Sequence, residues 1–185
     1  MNVKKVFVIL ISVFLFGTFV GALIGYYNPK VSEEAVRGIK EILGGGNNFL
    51  LNSPFKMFVF IFLNNTRVAI LSALLGIAFG IVPLLIMFFN GLVVGVVVVH
   101  VSRSLPITKV LLSIVPHGII EIPALALAGT AGILWFSEIL HGKGSFGARV
   151  QIGFKKMLRI LGISIVLLLI AAFIEAFITP KLAGL

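Results

Sequence analysis

The sequence predicts an all-α fold, a polytopic transmembrane helical bundle. Apolar residues make up 59% of the 185 and charged residues only 11%, and mean hydropathy is +1.20. A water-soluble domain needs more polar surface than this composition supplies, so lipid is the expected solvent. In hydrocarbon every backbone N–H and C=O must find its partner within the protein, which leaves helices or a closed barrel. The long apolar runs show no strict alternation, and this excludes the barrel. Five spans are expected, near 6–27, 67–83, 84–101, 117–140 and 159–178, with interfacial or re-entrant helical segments between some of them.

Lys4 and Lys5 followed by an apolar run have the outline of a secretory leader. The run is longer than the roughly 7 to 15 residues of a cleaved segment and lacks an Ala-x-Ala end, so it is read as a retained first span. Gly17, Gly21 and Gly25 recur every four residues on it and line one face where another helix can approach closely.

Residues 28–53 turn polar, with Lys30, Glu33, Glu34, Arg37, Lys40 and Glu41, then Gly44 to Gly46 and a pair of asparagines. They read as an excursion outside the membrane, helical over 32–43. Ser53-Pro54 signals a helix start, but apolar residues 55–63 are too few to span and are expected to lie in the interface. Asn64, Asn65 and Arg67 then precede the second span.

The turn between spans two and three falls at Pro83 or at Asn90-Gly91, and Pro83 is preferred, which leaves Asn90 inside the third span. Gly76 with Gly80, and Gly91 with Gly95, repeat the close-packing spacing. Residues 102–115 read as a loop dipping toward the membrane surface, and Pro116 as the start of the fourth span. Basic residues Lys143, Arg149, Lys155, Lys156 and Arg159 mark a loop over 141–158 before the last span, which Pro180 ends.

Fifteen Lys and Arg against six Glu, with no Asp, give a formal charge of +9. These cations flank apolar runs, so they read as topology signals and lipid-headgroup contacts, with no nucleic-acid partner expected. Placing them inside puts the N-terminus and the basic loop in the cytoplasm, the excursion outside, and the chain in the plasma membrane as a multi-pass protein. Trp135, Phe136, Tyr26 and Tyr27 lie at span ends, where an interfacial aromatic belt is expected. The chain has no cysteine, which removes thiol chemistry and leaves the redox compartment undetermined.

One constellation stands out. His117, Glu121, Ala124, Ala128 and Gly132 step by four, three, four and four residues, so they share a helix face about 80° wide. An acidic residue in hydrocarbon costs at least ~2.5 kcal/mol, so Glu121 needs a partner or a proton. With the orientation above, His100, His117, Glu121, Glu175, Asn64, Asn65 and Arg67 form a polar layer toward the external leaflet, and Asn90 of the third span is counted in the same intramembrane cluster.

That layer has three readings. It is structural, with Arg67 or Arg103 paired to Glu121 or Glu175; or it carries protons or ions; or it holds a metal through His117, Glu121 and His100. The metal reading lacks a His-Glu-x-x-His motif, and no Gly-x-Ser-x-Gly or phosphate loop is present, so neither a metal nor another cofactor nor an enzymatic activity is expected.

Asn64-Asn65 before a small-residue span, Asn90-Gly91 with Gly95, and above all Pro116-His117-Gly118-Ile119-Ile120-Glu121-Ile122-Pro123-Ala124 followed by Ala128-Gly129 and Gly132 resemble the stage II sporulation protein M family. The resemblance covers roughly 55–178. It implies a membrane component that holds hydrolytic partners in a peptidoglycan-remodelling complex and does no cutting itself; relatives also occur where there is neither sporulation nor peptidoglycan. The expectation is therefore a non-enzymatic scaffold that assembles or recruits proteins, as a homo-oligomer, a dimer through its small-residue faces. The alternative is a small ion- or proton-coupled permease using the His/Glu cluster.

Overall fold

The computed structural model describes residues 2–42 and 53–184. All regular elements among them are helical: α1 (Val3–Tyr27), α2 (Pro29–Ile42), α3 (Pro54–Leu75), α4 (Ile81–Ser102), α5 (Ile107–His141), α6 (Phe146–Phe173), a π-helical turn (Ile174–Ile178) and α7 (Thr179–Ala183). Five helical stretches are long and apolar enough to cross a membrane: α1, α3, α4, α5, and α6 continued through α7. The glycine and asparagine run at 44–48, expected in the excursion, lies outside the described residues.

The interior is rich in small residues, with a few large ones such as Leu10, Met87 and Leu168 among them, and the exterior is made mainly of large ones. Ala69, Ala73, Ala124, Ala126, Ala128, Ala131, Ala171 and Ala172 are buried, whereas Phe16, Phe19, Leu71, Ile119, Ile163 and Val166 are exposed. A bundle in lipid packs this way, because acyl chains solvate Leu and Phe as well as a core does and only close backbone approach favours association. α1 and α4 carry this furthest. A Cβ on Gly17 or Gly21 would run into the backbone of Phe88 and Leu92, and one on Gly91 or Gly95 into that of Phe14 and Thr18. Gly25 is looser, a Cβ there meeting Val96 and Val99 at 3.4 Å.

On α5, Ala124, Ala128 and Gly132 form a buried stripe. Ser164 on α6 donates to the carbonyl of Ala124 at 2.7 Å, and a Cβ on Gly132 would strike the Ala73 carbonyl of α3. Gly76 lies against Gly132 in the same seam.

Five span boundaries differ from the sequence expectation, one of them because the last span does not stop at Pro180 but runs on through α7 to Ala183, with Pro180 in the first turn of α7 where no N–H partner is lost. Residues 55–63 are not a separate interfacial segment: α3 starts at Pro54, with the Ser53 hydroxyl accepting from Lys56 N at 3.4 Å, and runs through Asn64, Asn65 and Arg67 to Leu75. The turn to α4 falls at 76–80, where Phe79 (φ 55°) and Gly80 (φ 73°) are left-handed. Pro83 is the third residue of α4, in the first turn, where no intrahelical N–H partner is lost, so it does not break the helix. Asn90 lies inside α4, its amide donating to Ile86 O at 2.8 Å.

Residues 107–115 form the first turns of α5, which continues through Pro116 and Pro123 to His141. Membrane helices tolerate such prolines where neighbouring helices cover the freed carbonyls. Likewise the 141–158 loop reduces to a short turn, since the Ser145 hydroxyl accepts from Ala148 N at 3.4 Å and α6 starts at Phe146. Arg149, Lys155, Lys156 and Arg159 thus stand on a helix that runs on into the membrane. Val3 shares an open pocket of about 550 Å³ with Lys143, Lys156 and Arg159, so the two cationic clusters lie at one end of the bundle.

Candidate functional site

The helix path sets two polar levels. The first is at the ends of α1 and α4, opposite the cationic end. Arg103, just past α4, donates to the Gly25 carbonyl at 2.6 Å, to Tyr26 O at 3.4 Å and to the Ser32 hydroxyl at 3.1 Å. Ser32 is buried, donates to Pro29 O at 2.7 Å and lies 3.5 Å from His100 Nδ1. These contacts latch α2 across the end of α4. Glu33, Glu34, Arg37 and Glu41 remain exposed on its outer side, with Arg37 and Glu41 4.0 Å apart.

The second level is deeper. His117 and Glu121 stand ten and fourteen residues into α5, roughly 15 and 21 Å along it at 1.5 Å per residue. Glu175 projects from the π-helical turn that follows α6. One ligand-type atom from each of His117, Glu121 and Glu175 lies within 4.8 Å of the other two. Asn65 on α3 is the hydrogen-bond partner of Glu121. A cavity of about 60 Å³ beside the group is lined by His117, Glu121, Asn90 and apolar residues including Phe14 and Leu125. His117 Nδ1 is buried with no hydrogen-bond partner among the described residues.

Of the residues expected in one layer, the structure therefore gathers His117, Glu121, Glu175, Asn65 and Asn90 and leaves three elsewhere. His100 belongs to the latch. Asn64 and Arg67 are exposed on the outer face of α3. The expected pairing of Arg67 or Arg103 with Glu121 or Glu175 does not occur; ion pairs form instead between Arg37 and Glu41 and between Lys156 and Glu138, the latter 2.7 Å. α5 starts earlier than Pro116, so His117 lies about three turns in from its start and not at it. Sequence reasoning missed Ser32 altogether, whose buried hydroxyl had no apolar-run signal to mark it, and it missed the role of Arg103 in holding α2.

Two acidic groups and an imidazole in this setting can hold protons or one cation. Lining apolar side chains and a volume of a few water molecules give no room for an organic substrate beside them.

The profile of the family described as "Stage II sporulation protein M" matches residues 9–180. The chain belongs to this family. The match covers α3, α4 and α5 whole and most of the first and last spans, and it includes His117, Glu121 and Glu175. Among relatives, the uncharacterized protein MJ0793 of Methanocaldococcus jannaschii is 34% identical over 140 residues, covering 74% of this chain and 78% of its own. The uncharacterized protein MJ0706 of the same organism is 33% identical over 124 residues, covering 65% of this chain and 54% of its own. No solved structure matches.

Proposed function

We propose that this stage II sporulation protein M family member is a non-enzymatic plasma-membrane scaffold that recruits partner proteins. The observation that carries the reading is the latch on α2. A short charged helix held by Arg103, Ser32 and the Gly25 carbonyl presents Glu33, Glu34 and Arg37 in one fixed orientation at the end of the bundle. Pre-orienting such a face lowers the ordering cost of binding a partner. A photo-crosslinking side chain at Glu34, in the native host, is expected to give one discrete protein adduct that Arg103→Ala weakens. Adducts to lipid alone would count against the scaffold.

The reading includes a homodimer. Asn64 and Arg67 share the exposed face of α3, and an arginine left to acyl chains costs at least ~2.5 kcal/mol. A second copy over that face relieves the cost. Mass measurement in nanodiscs should give two chains, shifting toward one in Arg67→Leu; a monomeric parent protein would refute the dimer.

The convergence of His117, Glu121 and Glu175 favours a second reading, a cation- or proton-coupled permease. In reconstituted vesicles a pH-driven flux lost in Glu121→Gln would support it, and no flux from the parent protein would remove it.

A further inference from the structure

The three side chains that meet between α5 and the end of α6 carry the donor atoms of a metal site. His117 offers an imidazole nitrogen and Glu121 and Glu175 one carboxylate oxygen each, all within 4.8 Å of one another. Other features of the same place point to a ligand. His117 Nδ1 is buried and unpartnered among the described residues. His117 and Glu121 also line the cavity of about 60 Å³. Glu175 sits in a π-helical turn, Ile174–Ile178, within an otherwise α-helical stretch. Such turns re-aim a side chain and recur at functional sites.

Charge balance narrows the ligand. Two ionised carboxylates a few ångströms apart in hydrocarbon repel each other, and each must be protonated or neutralised. A neutral imidazole, two carboxylates and one divalent cation sum to zero, the charge a bilayer interior accepts at least cost. Mixed nitrogen and oxygen donors suit first-row transition ions and zinc better than the all-oxygen sites of calcium and magnesium. Tetrahedral bonds of 2.0 to 2.1 Å put zinc donors roughly 3.3 Å apart, so side-chain closure of about 1.5 Å at most completes the set.

We propose that His117, Glu121 and Glu175 bind one divalent transition-metal cation, zinc by preference, which ties α5 to the end of α6 inside the membrane. Asn65 acts from outside the ligand set, its amide orienting the Glu121 carboxylate as outer-shell groups do at metal centres. The proposal is independent of the scaffold reading, because α2 and its latch supply none of the ligands.

The test is elemental analysis of the full chain, purified in nanodiscs with affinity-tag histidines removed and then dialysed after exposure to zinc, manganese(II), iron(II) or cobalt(II) in turn. The parent protein is expected to retain about one equivalent of one of these ions. His117→Ala, Glu121→Gln and Glu175→Gln should each retain at least ~10-fold less. Glu138→Gln and His141→Ala, which alter the acid and the imidazole of the basic pocket, should retain as much as the parent.

Cobalt absorption of the parent protein gives a measurement that does not depend on variants folding: a ligand-field band that zinc abolishes is expected. Retention below a tenth of an equivalent for all four ions, with no such band, would overturn the proposal. So would a bound ion that follows Glu138 or His141 and not His117.

Discussion

Arg103 shows how one side chain can set a surface. Its guanidinium donates to two backbone carbonyls of α1 and to Ser32 of α2, a fork that a lysine ammonium cannot reproduce. Arg103→Ala should leave the transmembrane bundle intact but raise hydrogen exchange at α2 amides by about tenfold, equivalent to roughly 1.4 kcal/mol, within the range for charged hydrogen bonds at a partly exposed site. Arg103→Lys should recover little of that protection; unchanged exchange in both variants would show that α2 is held by other contacts. At the same scale, the pairing of His117 with Glu121 was legible from their four-residue spacing, since that spacing alone puts them on one face. Their depth was not. Taking Pro116 as the helix start put His117 level with His100, whereas the start at Ile107 carries it roughly 15 Å inward. Ser32 left no trace in the pattern because a lone serine on an amphipathic surface helix is ordinary until the fold puts Arg103 beside it.

Helices obeyed composition more than punctuation. The apolar runs locate all five spans, but proline and asparagine proved poor markers of their ends, since Pro83 lies in a first turn, Pro116 and Pro123 lie within α5, and Asn64-Asn65 lie within α3. The physical reason is that a membrane helix ends where the bundle turns, here at Phe79 and Gly80, and neighbouring helices can shelter an interrupted ladder before then. Glycines separate the same way by what lies opposite them. Gly21→Ala pushes a methyl group into the Leu92 backbone, which cannot move aside as a side chain can, and should cost about 1 to 3 kcal/mol. Gly162 has nothing within 4 Å of a new Cβ, so Gly162→Ala should be neutral or add up to ~1 kcal/mol through helix propensity. Denaturant titration in mixed micelles compares the two, and equal effects would mean that α1 and α4 do not meet through their glycines.

The whole molecule places its charges asymmetrically. Val3, Lys143, Lys156 and Arg159 share one end, and the α2 latch occupies the other; five candidate spans lie between the termini among the described residues. With cations retained on the cytoplasmic side, cysteines introduced at Lys143 should be blocked from an impermeant reagent in intact cells and those at Glu34 should react; the opposite pattern would invert the bundle. Between these ends the fold brings residues from α3, α5 and the end of α6 into one centre, and both the permease reading and the metal site depend on that meeting. Because the chain has no cysteine of its own, the meeting can be tested by a single introduced pair. Glu121→Cys with Glu175→Cys should oxidise to a disulfide in the membrane, while His100→Cys with Glu175→Cys should not. A bond in the second pair and none in the first would contradict the account.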